Sequence, residues 1–346
     1  MDLHLRRPGV VAPVRADPRG LTGPTPGQAR GRRWRTSSAG RFVPAEADGA
    51  EDLQRIVEAV ASAPRGCGAT GWAALRWQGA RWFSGRDAAR EALPVPIAVG
   101  DTTHLTAARG VVVRRDWLFD GDIIDVDGLP ITRPERSICV DALRARSLDD
   151  TVRVISMALA DDLATLDDVA AYAERIRGRP HTRRLLEALE HSDENLWSPQ
   201  EVTLLMQWRR QRPRARLHCN PPIFDRLGRH LLTPDLFDAE AGVVGQYDGR
   251  IHDREEVRRR DLVAEELCRD IGLEVVRMVS EDLRDRGAFE QRLRSAYRRA
   301  GRRSSSTRAE WTLEQPSWWV DTSTVAARRA LDDDTRRRWL RHRSAG

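Results

Sequence analysis

Residues 233–252 read TPDLFDAEAGVVGQYDGRIH, and the spacing of the polar groups in this stretch governs how the chain is understood. Asp235 follows Pro234, an apolar strand is expected over 243–247, and Gln246-x-Asp248-Gly249-x-x-His252 closes the stretch. Side chains two apart on a strand share a face, so Gln246 and Asp248 are expected to project together. Asp235 belongs to the preceding strand across a short turn. Gly249 permits a sharp exit from the strand, after which His252 returns toward the same edge. Four polar groups near one point suit a divalent cation. Mg²⁺ favours hard oxygen ligands such as Asp235 and Asp248, and Mn²⁺ can substitute for it. Such an ion polarises a phosphodiester and acidifies a bound water, whose proton His252 could accept near neutral pH.

Outward from this stretch, composition narrows the function classes. The chain has 346 residues, and all 58 of its Lys+Arg positions are Arg. Lysine chemistry is therefore excluded. Residues 1–50 hold 9 Arg against 4 acids and residues 301–346 hold 10 against 6, so the net charge of +6 belongs to the ends. Basic ends favour polyanions such as DNA. Cys67, Cys139, Cys219 and Cys268 lie too far apart for a zinc motif and read as buried, reduced thiols. The N-terminus lacks a signal-peptide pattern, and no apolar run approaches the roughly 20 residues of a membrane span. A cytoplasmic protein without a membrane partner is the expectation. Oligomeric state is not legible.

An α/β chain of several parts emerges from the pattern of turns and periodicities. Residues 1–40, rich in Pro, Gly and Arg, are expected to be a disordered basic arm or a winged-helix remnant. An α+β unit over 41–135 has helices from Asp52 and over 71–78, strands at 95–99, 110–115 and 123–126, and a hairpin signal at Asp127-Gly128. A helical connector spans 136–194. The unit over 195–300 is expected to wrap helices around a mixed sheet, with strands near Leu217, Leu231 and Val243 and at 273–279, and helices from Pro199 and over 253–270. Residues 301–346 are expected to form a loose basic tail, with one helix over 325–340.

Ser198-Pro199-Gln200-Glu201, Pro234-Asp235, Asp248-Gly249-x-x-His252, Arg260-Asp261 and Gly272-Leu273-Glu274-Val275-Val276-Arg277 follow one another at set intervals. In that order they resemble the very-short-patch-repair-like branch of the PD-(D/E)XK endonuclease superfamily, over roughly residues 197–283. The resemblance implies a restriction-endonuclease-like mixed sheet and metal-dependent DNA cleavage. It implies Asp235, Gln246 and Asp248 as metal ligands, Glu201 as a helix carboxylate facing the site, and His252 with Asp248 and Glu201 as the catalytic set. Gln246 stands where that family carries Glu, which removes a full charge from the ion's surroundings. A domain weakened in cleavage, or retained only to bind DNA in antitoxin- or repressor-like work, is the alternative.

Each site residue also has an ordinary structural reading. Ser198 to Glu201 is a complete capping box with Pro at the first helical position. Asp235 and Asp248-Gly249 fit turn chemistry. Arg277, Arg260 and Arg250 are candidates to contact nucleic acid, with Trp208 as a stacking group beside Arg209 and Arg210. A solvated helix face balanced by Glu255, Glu256, Glu265 and Glu266 explains the Arg clusters equally well.

In the first half, Thr70-Gly71-Trp72-Ala73-Ala74-Leu75 and Val126-Asp127-Gly128-Leu129-Pro130-Ile131-Thr132-Arg133-Pro134-Glu135-Arg136-Ser137 are similar to the abortive-infection antitoxin-like domain of type IV toxin–antitoxin systems. That resemblance, over about residues 40–190, implies a regulatory or DNA-associated setting and a toxin partner. Residues 30–44 resemble the end of the wing that usually precedes such a domain.

Overall fold

The computed structural model describes residues 1–101, 103–248, 265–302 and 310–344. Its α/β architecture divides into two compact units, one of residues 1–146 and 167–186, the other of residues 147–166 and 187–346.

In the first unit, β1 (Val14–Arg15), β2 (Trp34–Ser38) and β3 (Arg41–Pro44) form an antiparallel sheet in the order β1-β3-β2. The expectation of a disordered arm is overturned here. The Met1 ammonium donates to the carbonyls of Ala61 (2.8 Å) and Ala63 (3.3 Å). Arg7 pairs with Asp127 at 2.9 Å and lies 4.3 Å over the Trp77 ring. Arg41, almost wholly buried, donates to Asp2 and to the Pro13 carbonyl at 3.2 Å each. Composition misled because arginines tied to specific acids and carbonyls, more than an apolar core, order this segment.

The heptad-like spacing of Ile56, Val57 and Val60 does build α1 (Asp52–Ser62), whose apolar face is fully buried. β4 (Gly68–Ala69), β5 (Val95–Ala98), β6 (Val111–Arg114), β7 (Ile123–Val126) and β8 (Leu129–Thr132) form one mixed sheet in the order β6-β5-β4-β8-β7. Asp127 and Gly128, both at positive φ (53° and 82°), close the β7–β8 hairpin as a primed turn. Between β4 and β5 lies α2 (Gly71–Trp77); α3 (Pro134–Arg144) follows β8.

Arg136 on α3 is fully buried and organises a polar network. It donates to the Thr70 hydroxyl (2.6 Å) and the Trp117 carbonyl (2.7 Å), and its Nε lies 3.4 Å from Asp122. Asp122 also accepts from the Tyr172 hydroxyl (2.7 Å) and the Phe119 amide (2.8 Å). Opposite charges balance within this network, although Arg136 Nε makes no hydrogen bond among the described residues, and that balance gives it the character of a scaffold.

The helical connector is not one element. α4 (Leu148–Ala160) belongs to the second unit, whereas all but the first residue of α5 (Leu166–Arg175) belongs to the first, and α6 (Thr182–His191) straddles the boundary.

The second unit begins its sheet domain with α7 (Pro199–Gln211), followed by β9 (Leu217–Cys219), β10 (Ile223–Asp225), β11 (His230–Leu232), β12 (Leu236–Asp238), β13 (Val243–Asp248), β14 (Glu274–Val279), α8 (Arg286–Ala300) and β15 (Trp311–Thr312). The main sheet is mixed, in the order β14-β13-β12-β9, with β13 parallel to β14 and the other pairs antiparallel. Residues 265–270 are helical, while 253–264 of the expected long helix lie outside the described residues. Trp208 of α7 presses on Gly245, where an added Cβ would meet the indole at 2.3 Å. The other face buries Ile223, Phe237, Val244, Cys268 and Leu273.

The expected loose tail is also overturned over residues 310–344. β15 joins β10 and β11 in a second sheet, and α9 (Val325–Arg329) and α10 (Asp333–Trp339) follow. Arg328 is fully buried, bonded to Asp162 (2.5 Å) and to the carbonyls of Leu159 (2.8 Å) and Thr322 (3.0 Å). All four cysteines are free and buried. No helix among the described residues is long and apolar enough to cross a membrane.

Candidate functional site

Ser198 caps α7 by accepting from the Glu201 amide at 3.2 Å, and Pro199 supplies the first helical residue. This start points the Glu201 carboxylate back over the helix entrance. There it accepts from the Trp197 amide (2.8 Å), the Ser198 hydroxyl (2.9 Å) and the Asn220 side-chain amide (2.6 Å). Glu201 therefore completes the capping box and remains a buried acid, 7% exposed.

Asp235 arrives from the other side. The antiparallel register pairs Leu236 with Gly245, which brings Asp235 to the carboxyl end of β13. Its Oδ2 accepts from the Tyr247 amide at 2.6 Å, and its backbone carbonyl accepts from the Asn220 amide at 2.9 Å. Loss of water around the carboxyl, followed by the nearby charge of Glu201, pushes Asp235 from 3.8 up to about 7, against the Tyr247 hydrogen bond. Glu201 is raised as well, chiefly by burial, although its three hydrogen bonds and the charge of Arg343 act the other way. The two acids thus form a like-charged pair in which simultaneous ionisation is costly.

Asn220 joins them. Its side-chain nitrogen donates to Glu201 and to the Asn195 carbonyl (2.7 Å), while Asn195 donates in return to the carbonyls of Cys219 (2.7 Å) and Asn220 (3.2 Å). Asn220 adopts a left-handed backbone, with φ 45°, and is 2% exposed. Its Oδ1 has no hydrogen-bond partner among the described residues. A buried amide oxygen without a partner is uncommon and marks a place where another group is accommodated.

Two further expected ligands, Gln246 and Asp248, lie on β13. Gly245 faces Trp208, so the alternation of β13 turns Gln246 and Asp248 together toward the opposite face. Asp248 lies 3.7 Å from Arg277, whose Nε is 2.9 Å from Glu265. Asp235 is thus coupled to Glu201, and Asp248 lies within ion-pair distance of Arg277. Among the described residues no three His, Cys, Asp or Glu side chains converge as a metal site. His252, Arg250 and Arg260 lie outside the described residues.

Trp208 is a second correction. Its ring is fully buried, and its indole nitrogen donates to the Tyr297 hydroxyl at 2.9 Å. It is a core residue, with no face left for a nucleobase. Asn195, Asn220 and the aromatic residues of the C-terminal segment were missed in the sequence. A Trp318-Trp319 pair within a segment read as loose was the available signal, because disordered segments are poor in aromatics.

An oxygen-preferring cation fits the Glu201–Asp235 pair, since both donors are carboxylates and a positive ion between them offsets their mutual repulsion. Comparison with family models, curated proteins and solved structures finds no match to the chain.

Proposed function

We propose that the second unit is a metal-dependent, endonuclease-like domain acting on DNA phosphodiesters, with Glu201 and Asp235 as its central acids. The observation carrying this reading is the approach of two like-charged carboxyls, a buried one on α7 and a partly buried one just before β12, both tied to Asn220. The order of motifs around them supports it, as does the all-oxygen donor set. Mg²⁺ or Mn²⁺ bound by Glu201 and Asp235 would supply phosphate polarisation and an acidified water. The Tyr247 amide holds the Asp235 carboxyl in place, and Ser198, Trp197 and Asn220 hold that of Glu201. These bonds keep both acids oriented before substrate arrives, which lowers the reorganisation needed during reaction. His252 is the base nominated by the motif order, and DNA is the expected partner.

Incubation of supercoiled plasmid with the full chain and Mn²⁺ or Mg²⁺ tests the reading, beside Asp235→Asn, Glu201→Gln and His252→Ala. Nicking that falls about 100-fold or more in the two acid variants is expected, in line with the loss of preorganised charge at a reacting centre. Equal nicking by all four proteins would exclude the site.

The second reading is a DNA-binding antitoxin- or repressor-like protein whose nuclease domain no longer cleaves. Gln246 in place of a carboxylate, and Asp248 engaged with Arg277, favour it. Cleavage by Gln246→Glu in the absence of wild-type cleavage would select this reading over the first.

A further inference from the structure

Beside the Glu201–Asp235 pair, the second unit contains a cavity of about 360 Å³. Its walls include Trp197, His230, Trp319 and Trp339, with Asn195 and Asn220 among its polar groups. The size falls within the range of small-molecule sites. The C-terminal segment supplies much of the wall. Trp319 stacks on His230 with ring centroids 5.0 Å apart and planes at 24°, and Trp339 meets Trp319 edge-on at 4.9 Å.

We infer that this cavity is a binding site for a nucleobase, lodged between aromatic walls and read by Asn220. Four features lead to this ligand class. Three indoles and an imidazole line the cavity, and aromatic walls suit planar heterocycles better than flexible aliphatic chains. Asn220 lines the cavity, and its Oδ1, buried and without a partner among the described residues, is an acceptor suited to the exocyclic amine of a base. Arg338, exposed beside Trp339 at the cavity, forms no ion pair among the described residues and is placed to meet a phosphate. Asn220 also bonds Glu201, so the cavity and the acid pair share a residue.

The inference deepens the proposed function and rests on its nucleic-acid reading. A base held out of its stack gives a route by which a single-stranded or locally opened strand is fixed beside the two acids. Base selection would then come from the Asn220 oxygen, with stacking supplying most of the affinity.

The base can come from a polynucleotide or from a free nucleoside, and binding measurements in EDTA separate the two. The probes are a single-stranded oligodeoxynucleotide of about 12 nucleotides with a central 2-aminopurine, the same strand abasic at that position, and free 2-aminopurine riboside. Wild-type protein is expected to quench the aminopurine and to bind that strand about 5- to 100-fold more tightly than the abasic strand. Trp339→Ala should abolish the difference and Trp339→Phe should keep most of it, with circular dichroism confirming that both variants fold. Saturable quenching of the riboside without any strand binding supports the pocket and assigns it a mononucleoside. Equal affinity for intact and abasic strands with no quenching of strand or riboside overturns the inference. So does quenching that Trp339→Ala leaves unchanged in a folded protein. Because no metal is present, these outcomes are independent of plasmid cleavage, whose failure would count against the catalytic reading alone.

Discussion

Arg136 in the first unit and Glu201 in the second are both charged, both on helices and both buried, at 0% and 7% exposure. Their neighbours differ in sign. Arg136 faces Asp122, a hydroxyl and a carbonyl, so its charge is balanced within the protein. Glu201 faces Asp235, a second acid, with Arg343 as the opposing charge and an Asn220 oxygen that has no partner among the described residues. Burial of charge is costly in both places; an opposite charge offsets it in the first network, whereas in the second three hydrogen bonds and Arg343 must offset two acids. A charge imbalance in the second leaves a role for something brought from outside. Polarity alone does not distinguish scaffold from site; the test is whether the charges balance.

The largest effect should come from opening the closed network. Arg136→Met strands Asp122 as a buried carboxylate, and a loss of about 3–5 kcal/mol is expected by chemical denaturation. A loss below about 1 kcal/mol would show that this network does not anchor the first unit.

Adding Mn²⁺ probes the open site. Thermal unfolding of wild-type protein should move upward, corresponding to about 2.7 kcal/mol at a hundredfold excess over Kd. Glu201→Gln and Asp235→Asn should remove the shift, whereas Arg136→Met should lower stability and leave the shift in place. No response in the wild type would show that the folded protein holds no such cation, and a shift kept by both acid variants would place the site elsewhere.

The smallest effect concerns pH. Asp235 titrates at about 7 in the folded protein against an ordinary 3.8, so its folded state favours the proton. Its contribution is complete below about pH 4 and is lost as pH rises through about 7. Asp235→Asn should therefore flatten stability between pH 4 and 8 and exceed wild type at pH 8 by roughly 1–2 kcal/mol, a figure reduced for partial exposure. Parallel pH profiles for the two proteins would contradict the like-charge pair. The same experiment on Asp141 sharpens the contrast. That acid is also pushed up to about 7 by burial, yet Arg144 and Arg114 lie near it, so removing its charge should not alter any response to Mn²⁺.

Much of this architecture was legible in local patterns. The Ser198-Pro199-x-Glu201 cap, the Asp127-Gly128 hairpin and the apolar periodicity of α1 each depend on residues a few positions apart. The same holds for the strands at Val243–Asp248 and Glu274–Val279. The candidate site was legible in part, because Glu201 and Asp235 were marked by motif order. Asn220 was not, since an Asn before two prolines reads as turn chemistry wherever it occurs.

Local order in this chain follows from side-chain periodicity, capping and turn chemistry, which act over a few residues and are therefore written in the linear text. Partnership across long separations is different in kind. Nothing local shows that Arg328 is neutralised by Asp162, that Trp319 stacks on His230, or that Asp235 meets Glu201 while Asp248 turns to Arg277. Those outcomes depend on which faces the sheet and helices bury. They convert a tail that looked loose into the wall of a cavity, and they set Asp235 beside Glu201 and Asp248 beside Arg277.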